Sequence, residues 1–279
     1  VSAPVGRRMT LDAGRRPAST TETRDANRAW WDAEAEDYHR EHGDFLGDAG
    51  FVWGPEGWTE DELGLLDLAP GMTVLEIGAG AAQCSRRLVR DRDDVRVVAS
   101  DLSRGMLRTA QRLDAGAGRP VPLLQCDGGR LPVADAAVDR VFTAYGVVPF
   151  VADSAAVLRE AARVLRPGGR LVFSTSHPVR WAFPDVPGPE GLTATTSYFD
   201  RTPYVESSGG VVTYVEHHRT VGDLVRQVVG AGLVLLDLVE PEWPDRNPQT
   251  WGGWSPLRGR LLPGTLVVVA ERPGAPRGA

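Results

Sequence analysis

Between Thr73 and Thr175 short apolar runs alternate with helical stretches, and this rhythm constrains the fold more than any other feature of the chain. Thr73–Gly78 (TVLEIG), Val95–Ser100, Val121–Cys126, Ala137–Ala144 and Arg170–Thr175 read as strands. Between them Ala82–Arg90, Ser103–Leu113 and Asp153–Leu165 read as helices, with Ser103 as an N-cap and Pro167-Gly168-Gly169 as a stop. Strands that are apolar along their whole length are buried on both faces, and helical crossovers return them parallel. A helix at 220–231 and strands at 233–239 and Thr265–Glu271 resume the pattern and bring the strand count to seven. The expected class is therefore α/β, with a doubly wound, mostly parallel sheet.

The rest of the chain is organised around that core. Residues 1–23 are rich in Pro, Ser, Thr and Arg without periodicity and read as a disordered arm; 273–279 reads as a disordered tail. Residues 24–272 form one domain. Within it, 24–70 is a helical lid, 71–176 the ligand-binding core, 177–219 an insertion after the fifth strand, and 220–272 the C-terminal part of the sheet. In the lid, Trp30, Trp31, Ala35 and Tyr38 recur at helical intervals over 24–42. Thr59 and Glu62 make a capping-box pattern for a second helix that ends before Pro70-Gly71. The insertion contains one alternating stretch, Val211–Glu216, and a segment this long without regular rhythm is usually functional.

Composition excludes several classes. With 42% hydrophobic residues the core needs no staples, and Cys84 and Cys126 are too few for a disulfide scaffold or a cysteine zinc site. His39 and His42 stand alone as a pair, and no metal is assigned. A net charge of −6 argues against nucleic acid as partner. All basic residues are arginine, so enzyme-lysine Schiff bases and a Walker-A phosphate loop are ruled out. No apolar run approaches the ~18 residues of a membrane helix. The first residues lack the apolar stretch of a secretory leader, and the cytoplasm is the expected compartment.

The sharpest local motif is Glu76-Ile77-Gly78-Ala79-Gly80-Ala81-Ala82, at the junction of the first strand and the first helix. Glycines there let the backbone turn and approach a ligand, and the helix offers free N–H groups. A dinucleotide loop reads G-x-G-x-x-G, whereas here an acid precedes the first glycine by two residues. That acid disfavours a pyrophosphate and suits a cationic ligand, through charge or a bridging water. Asp101 closes the second strand, 21 residues after Gly80, where a carboxylate can accept from two ribose hydroxyls. Asp127 closes the third, where it can accept from an adenine amino group, and Met106 can pack on the purine.

Together LEIGAG, VVASDLSRGML, CDGGRLPVADAAVDRVF, AYGVVPFV and LRPGGRLVFS resemble a class I S-adenosylmethionine-dependent methyltransferase. The resemblance is to the small-molecule branch that includes the ubiquinone/menaquinone-biosynthesis enzymes. It covers 60–175 by motif and 220–271 by pattern. It implies a Rossmann-like sheet, an N-terminal helical cover and S-adenosylmethionine as cofactor. It also implies that Glu76, Gly78, Ala79 and Gly80 line the methionine and ribose portions, and that Asp101 holds the ribose. Leu102 or Met106 would lie against adenine, with Cys126, Asp127 and Gly128 at its edge, and Tyr145 and Gly146 would border the sulfonium. Ala82 replaces a common third glycine, a small change.

Methyl transfer from a sulfonium is an in-line displacement in which alignment supplies ~7–11 kcal/mol, while a general base adds ~10²–10⁴-fold. His177 follows the fifth strand, whose C-terminal end faces the ligand crevice, and is the first candidate for a base. His217 and His218 with Glu216 form a second polar cluster. Tyr38 is expected to touch the cofactor from the lid. Aromatic residues in the lid and insertion, among them Trp30, Trp31, Phe51, Trp53, Trp181 and Trp254, point to a planar or apolar acceptor. The expected partner is a small-molecule methyl acceptor, in secondary metabolism, with the chain a monomer or homodimer. Two other readings stay open: a cofactor binder with a regulatory or non-methylating role and, opposed by Glu76 and Asp127, a nicotinamide-dependent oxidoreductase.

Overall fold

A computed structural model describes residues 11–46, 48–116, 118–250 and 252–274, without the side chains of 11, 38, 39 and 41–46. Strand β1 (Leu11–Arg15) leads into the long helix α1 (Thr20–Leu46), and a single turn, α2 (Glu60–Leu63), follows. Then come β2 (Thr73–Ile77), α3 (Gln83–Asp91), β3 (Arg96–Asp101), α4 (Arg104–Leu113) and β4 (Leu123–Gln125). Next are β5 (Val138–Thr143), α5 (Ser154–Val164) and β6 (Leu165–Ser176). The hairpin β7 (Tyr204–Ser208) and β8 (Val211–Glu216) precedes α6 (Val221–Gly230), β9 (Val234–Val239), α7 (Pro256–Gly259) and β10 (Thr265–Glu271).

The main sheet has seven strands in the order β4-β3-β2-β5-β6-β10-β9. The first five are parallel, and β10 enters antiparallel between β6 and β9. This is the Rossmann-like α/β sheet expected from the alternation of apolar strands and helices. Leu75, Val141 and Leu171 on one face pack with Leu158, Ala161 and Val228 of α5 and α6. Val74, Val97 and Val172 on the other face pack with Leu88 and Ala110 of α3 and α4, and with Phe51 and Trp53. All five parallel strands present their C-terminal ends at one edge, where the crevice of such a sheet lies.

Two expectations are corrected. Leu11–Arg15, read as part of a disordered arm, pairs antiparallel with β7 to make a second sheet, β1-β7-β8, and α1 begins at Thr20. Backbone pairing to a distant hairpin explains the strand, since LDAGR carries no alternation of its own. Residues 1–10 of that arm and 275–279 of the tail lie outside the described residues. The helix from Thr59 has its capping box but stops after one turn. Gly64 takes a left-handed conformation (φ 60°), and its N–H closes on the Glu60 carbonyl. The chain then wraps the buried Glu60 carboxylate, which accepts from the Leu65 and Leu66 N–H groups and from Trp53 Nε1–H. Among the described residues no helix is long and apolar enough to cross a membrane.

Candidate active site

The site begins where β2 ends. Gly78 (φ 69°) and Gly80 (φ 54°) turn the chain through left-handed backbone. A Cβ on Gly78 would lie 2.1 Å from Val147 Cγ2, so this glycine lets the loops after β2 and β5 touch. Helix α3 starts at Ala82 with no side-chain cap of its own. Glu76 supplies one from the neighbouring strand, accepting the Ser85 N–H at 3.1 Å and the Ser85 hydroxyl. Glu76 is buried, and loss of solvent pushes its carboxyl up to about 8 against the pull of the Ser85 bonds.

At the next tip Asp101 accepts the Gly80 N–H at 2.8 Å and the Ser103 N–H at 2.7 Å. Burial raises its pKa, and those two bonds oppose the rise. Asp127, beyond β4, accepts the Gly129 N–H at 2.8 Å. The three carboxylates sit at the tips of adjacent strands and face one cavity of about 380 Å³. Ala79, Gly80, Leu102, Met106, Cys126, Gly128, Tyr145 and Gly146 line it with them, as does Gly78. Burial raises the Cys126 thiol pKa. The side chain of Tyr38, expected to reach the cofactor, lies outside the described residues.

The same cavity continues into an aromatic half. Trp30 and Trp31 of α1 meet edge to face at 4.5 Å; Trp30 lies 5.2 Å from Tyr214 of β8, and Trp31 lies 5.7 Å from Phe150. Trp254 lines the cavity from the loop before α7. Asn27 fixes α1 to this wall in the manner of a paired strand. Its Oδ1 accepts the Val215 N–H, and its Nδ2 donates to the carbonyls of Val215 and Phe150. Glu216 accepts from the Tyr214 hydroxyl at 2.5 Å and from Arg180 Nη1 at 3.3 Å. Between the halves, Tyr145 (φ 59°) and Val147 (φ 50°) hold left-handed backbone, which is strained for a β-branched residue.

Of the four residues considered for catalysis, only Glu216 lines the cavity. His177 is corrected first. It caps the short helix Pro178–Ala182, with Nδ1 accepting the Val179 N–H at 3.1 Å and Nε2 donating to Glu240 at 2.8 Å. Both ring nitrogens are thus occupied, and burial lowers its pKa despite Glu240. His217 bonds Thr23 at 3.0 Å, and burial with the nearby Arg219 pushes its pKa down to about 4. His218 donates to the Tyr198 carbonyl at 2.7 Å and stands between the Trp181 and Tyr198 rings. The pair lies just before α6, whose cap is Thr220 with Asp223.

Phe51, Trp53 and Trp181 are likewise packing residues: Phe51 stacks on Phe142, Trp53 meets Phe142 edge to face, and Trp181 packs against His218. Sequence reasoning missed Asn27, Phe150, Ser176, Arg180, Asp185 and Tyr214. Two signals were present. Asn27 shares a helical face with Trp30 and Trp31 at spacings of three and four, and Tyr214 shares a strand face with Glu216.

Residues 75–173 match the sequence profile described as a methyltransferase domain. The chain is 39% identical over 131 residues to the demethylmenaquinone methyltransferase of Corynebacterium urealyticum, over 47% of this chain and 51% of that one. The match thus spans about half the length of that relative. Identity to the demethylmenaquinone methyltransferase of Mycobacterium tuberculosis is 32% over 218 residues, covering 76% of this chain and 79% of the relative. A solved S-adenosylmethionine-dependent methyltransferase from Mesorhizobium loti superposes with a TM-score of 0.59 at 24% identity, covering 78% of this chain and 100% of that structure.

Proposed function

The chain belongs to the S-adenosylmethionine-dependent methyltransferase family, and from that premise we propose that it methylates a small planar acceptor held in the aromatic half of the cavity. The observation that carries this reading is continuity: one cavity joins three carboxylates on neighbouring strand tips to an aromatic wall. The donor set of the first half fits the cofactor. Glu76, Asp101 and Asp127 are acceptors for hydroxyl, amino and cationic groups, and among the described residues the only cation lining the cavity, Arg180, stands beside Glu216 rather than beside these three.

Asp101 would hold the ribose hydroxyls, Asp127 would accept from the adenine amino group, Met106 would pack on the purine, and Glu76 would face the cationic end. Bound there, S-adenosylmethionine supplies a methyl carbon already activated by its sulfonium. The protein's part is placement. Trp30, Trp31, Phe150 and Tyr214 clamp a flat acceptor, and alignment of this kind is worth ~7–11 kcal/mol. Where the acceptor atom arrives protonated, Glu216 takes the proton, held in place by Tyr214 and Arg180. The histidines have no part in this scheme.

The test is transfer of labelled methyl from S-adenosylmethionine to a panel of quinols, phenols and heteroaromatic amines, run beside calorimetry with S-adenosylhomocysteine. Quinols come first, because the relatives are named for demethylmenaquinone. Expected are tight cofactor binding and labelled product from at least one acceptor. No binding of S-adenosylhomocysteine would overturn the cofactor assignment; binding without transfer to any acceptor would overturn the transfer.

A further inference from the structure

Most arginines shielded from solvent elsewhere in this protein are bound by main-chain carbonyls; Arg258, fully buried, donates from Nη1 to the carbonyls of Val186 and Gly253, while its Nε and Nη2 have no hydrogen-bond partner among the described residues. Arg86 pairs with Asp114 and donates to the carbonyls of Ala81 and Ala110. Arg140 donates to the carbonyls of Leu66, Asp67 and Asp139, and Arg219 to those of Val148, His217, Val151 and Ala152. Such groups are spent on structure.

Arg180 is different. Its side chain is 19% exposed, yet among the described residues its guanidinium has no main-chain partner. Its polar partners are two single contacts, to Glu216 at 3.3 Å and to Asp185 at 3.4 Å, and its guanidinium also lies 5.6 Å from the centre of the Trp181 ring. Both polar contacts are long for a charge-assisted bond, which closes to ~2.7–2.9 Å and is commonly bidentate. Arg180 is also the only cation lining the cavity among the described residues. Burial works against its charge, and Glu216 and Asp185 more than offset that, so it stays firmly protonated.

The two carboxylates are not equivalent. Glu216 is 14% exposed and is fixed from a second side by the Tyr214 hydroxyl. Asp185 is 55% exposed and is attracted by Arg258 as well, but among the described residues its one ion pair is the long contact to Arg180. It is the weaker anchor, and leaving Arg180 would return it to water at little cost.

We propose that Arg180 is the acceptor-recognition residue, and that the acceptor carries a carboxylate which takes the place of Asp185 on the guanidinium. This rests on the methyltransferase reading and narrows its substrate class to planar carboxylic acids. One carboxylate replaces another, so the charge around Arg180 is conserved while the one long contact to Asp185 gives way to a bidentate pair. A doubly charged phosphate in the same place would add a charge beside the fixed Glu216 and is disfavoured.

The experiment loads the protein with S-adenosylhomocysteine at pH 7.5 and titrates planar acids against their own carboxamides. Benzoate, salicylate, indole-3-carboxylate and 2-naphthoate serve as probes, read by calorimetry and by quenching of the cavity tryptophans. At least one acid should bind roughly tenfold or more tightly than its amide, the worth of a charge-assisted pair. Asp185→Asn, an exposed substitution that leaves folding intact, should tighten that acid about threefold relative to its amide by removing its competitor. Arg180→Met should abolish the preference, and Arg180→Lys should restore part of it. No acid preferred over its amide, or Asp185→Asn weakening the acid relative to its amide, would overturn the proposal. S-adenosylhomocysteine binding, read separately on each sample, tells that failure apart from failure of the methyltransferase reading.

Discussion

The two halves of the cavity are built by different means. The cofactor half comes from one stretch of chain, in which successive strands carry Glu76, Asp101 and Asp127 to adjacent tips of one sheet. The aromatic half, where we place the acceptor, is assembled from α1, the turn at Val148–Phe150, the segment after β6, β8 and the loop before α7. The first is rigid by virtue of the sheet. The second is held by side chains that act as backbone substitutes, Asn27 above all.

That contrast can be broken. The largest effect is expected in the acceptor half, where Glu216→Gln should lower turnover ~10²–10⁴-fold for an acceptor that arrives protonated. Cofactor affinity should stay within about twofold, as single-turnover assays beside calorimetry would show; equal losses in both would mean that the halves are not separable. In the cofactor half, Asp101→Ala should weaken S-adenosylhomocysteine by about 1.5–3 kcal/mol, because bonds to a charged acceptor are lost. Unchanged affinity in calorimetry would remove Asp101 from the site.

A smaller and graded effect follows from Glu76, whose carboxyl is pushed up to about 8 by burial. Below that pH it is protonated, and a cationic ligand binds better to the ionised form. Affinity for S-adenosylmethionine should therefore rise between pH 6 and 8, by at most about tenfold per unit, and level off above. Stability runs the opposite way. A carboxyl whose pKa is raised on folding contributes stability at low pH and loses it as pH rises toward 8, so the melting temperature of the ligand-free protein should fall over that range. Glu76→Gln should flatten both profiles. The smallest effect on activity is expected from His177→Asn, with turnover nearly unchanged and stability lower by ~1–2 kcal/mol through the lost buried bonds. A collapse of turnover in a folded variant would return His177 to the mechanism.

The same contrast explains what could be read before the fold was known. TVLEIG, Ser103 and the apolar strands are local signals, and local signals located the sheet and the tips that carry the carboxylates. The turn after β6 is legible too, but not which of its residues lines the cavity. In His177-Pro178-Val179-Arg180 the proline starts a tight helix that turns His177 back onto Val179 N–H and Glu240 and leaves Arg180 lining the cavity. Nothing in that tetrapeptide distinguishes the two, because the choice is made by Glu240 and Glu216, which lie far along the chain. Strand β1 was illegible for a similar reason: its pairing partner is remote, and its own residues show no alternation.

That first strand has a practical consequence. Leu11–Arg15 extends the sheet that carries Tyr214 and Glu216, and Arg15 reaches over the Trp181 ring and toward Asp200. Trimming the chain to the first helix, a routine step in preparing a protein for crystals or assays, would peel away a stave from the vessel proposed for the acceptor while leaving the berth proposed for the nucleoside whole. Such a shortened protein should still retain S-adenosylhomocysteine on a column and yet turn over poorly, a combination easily mistaken for the wrong choice of acceptor.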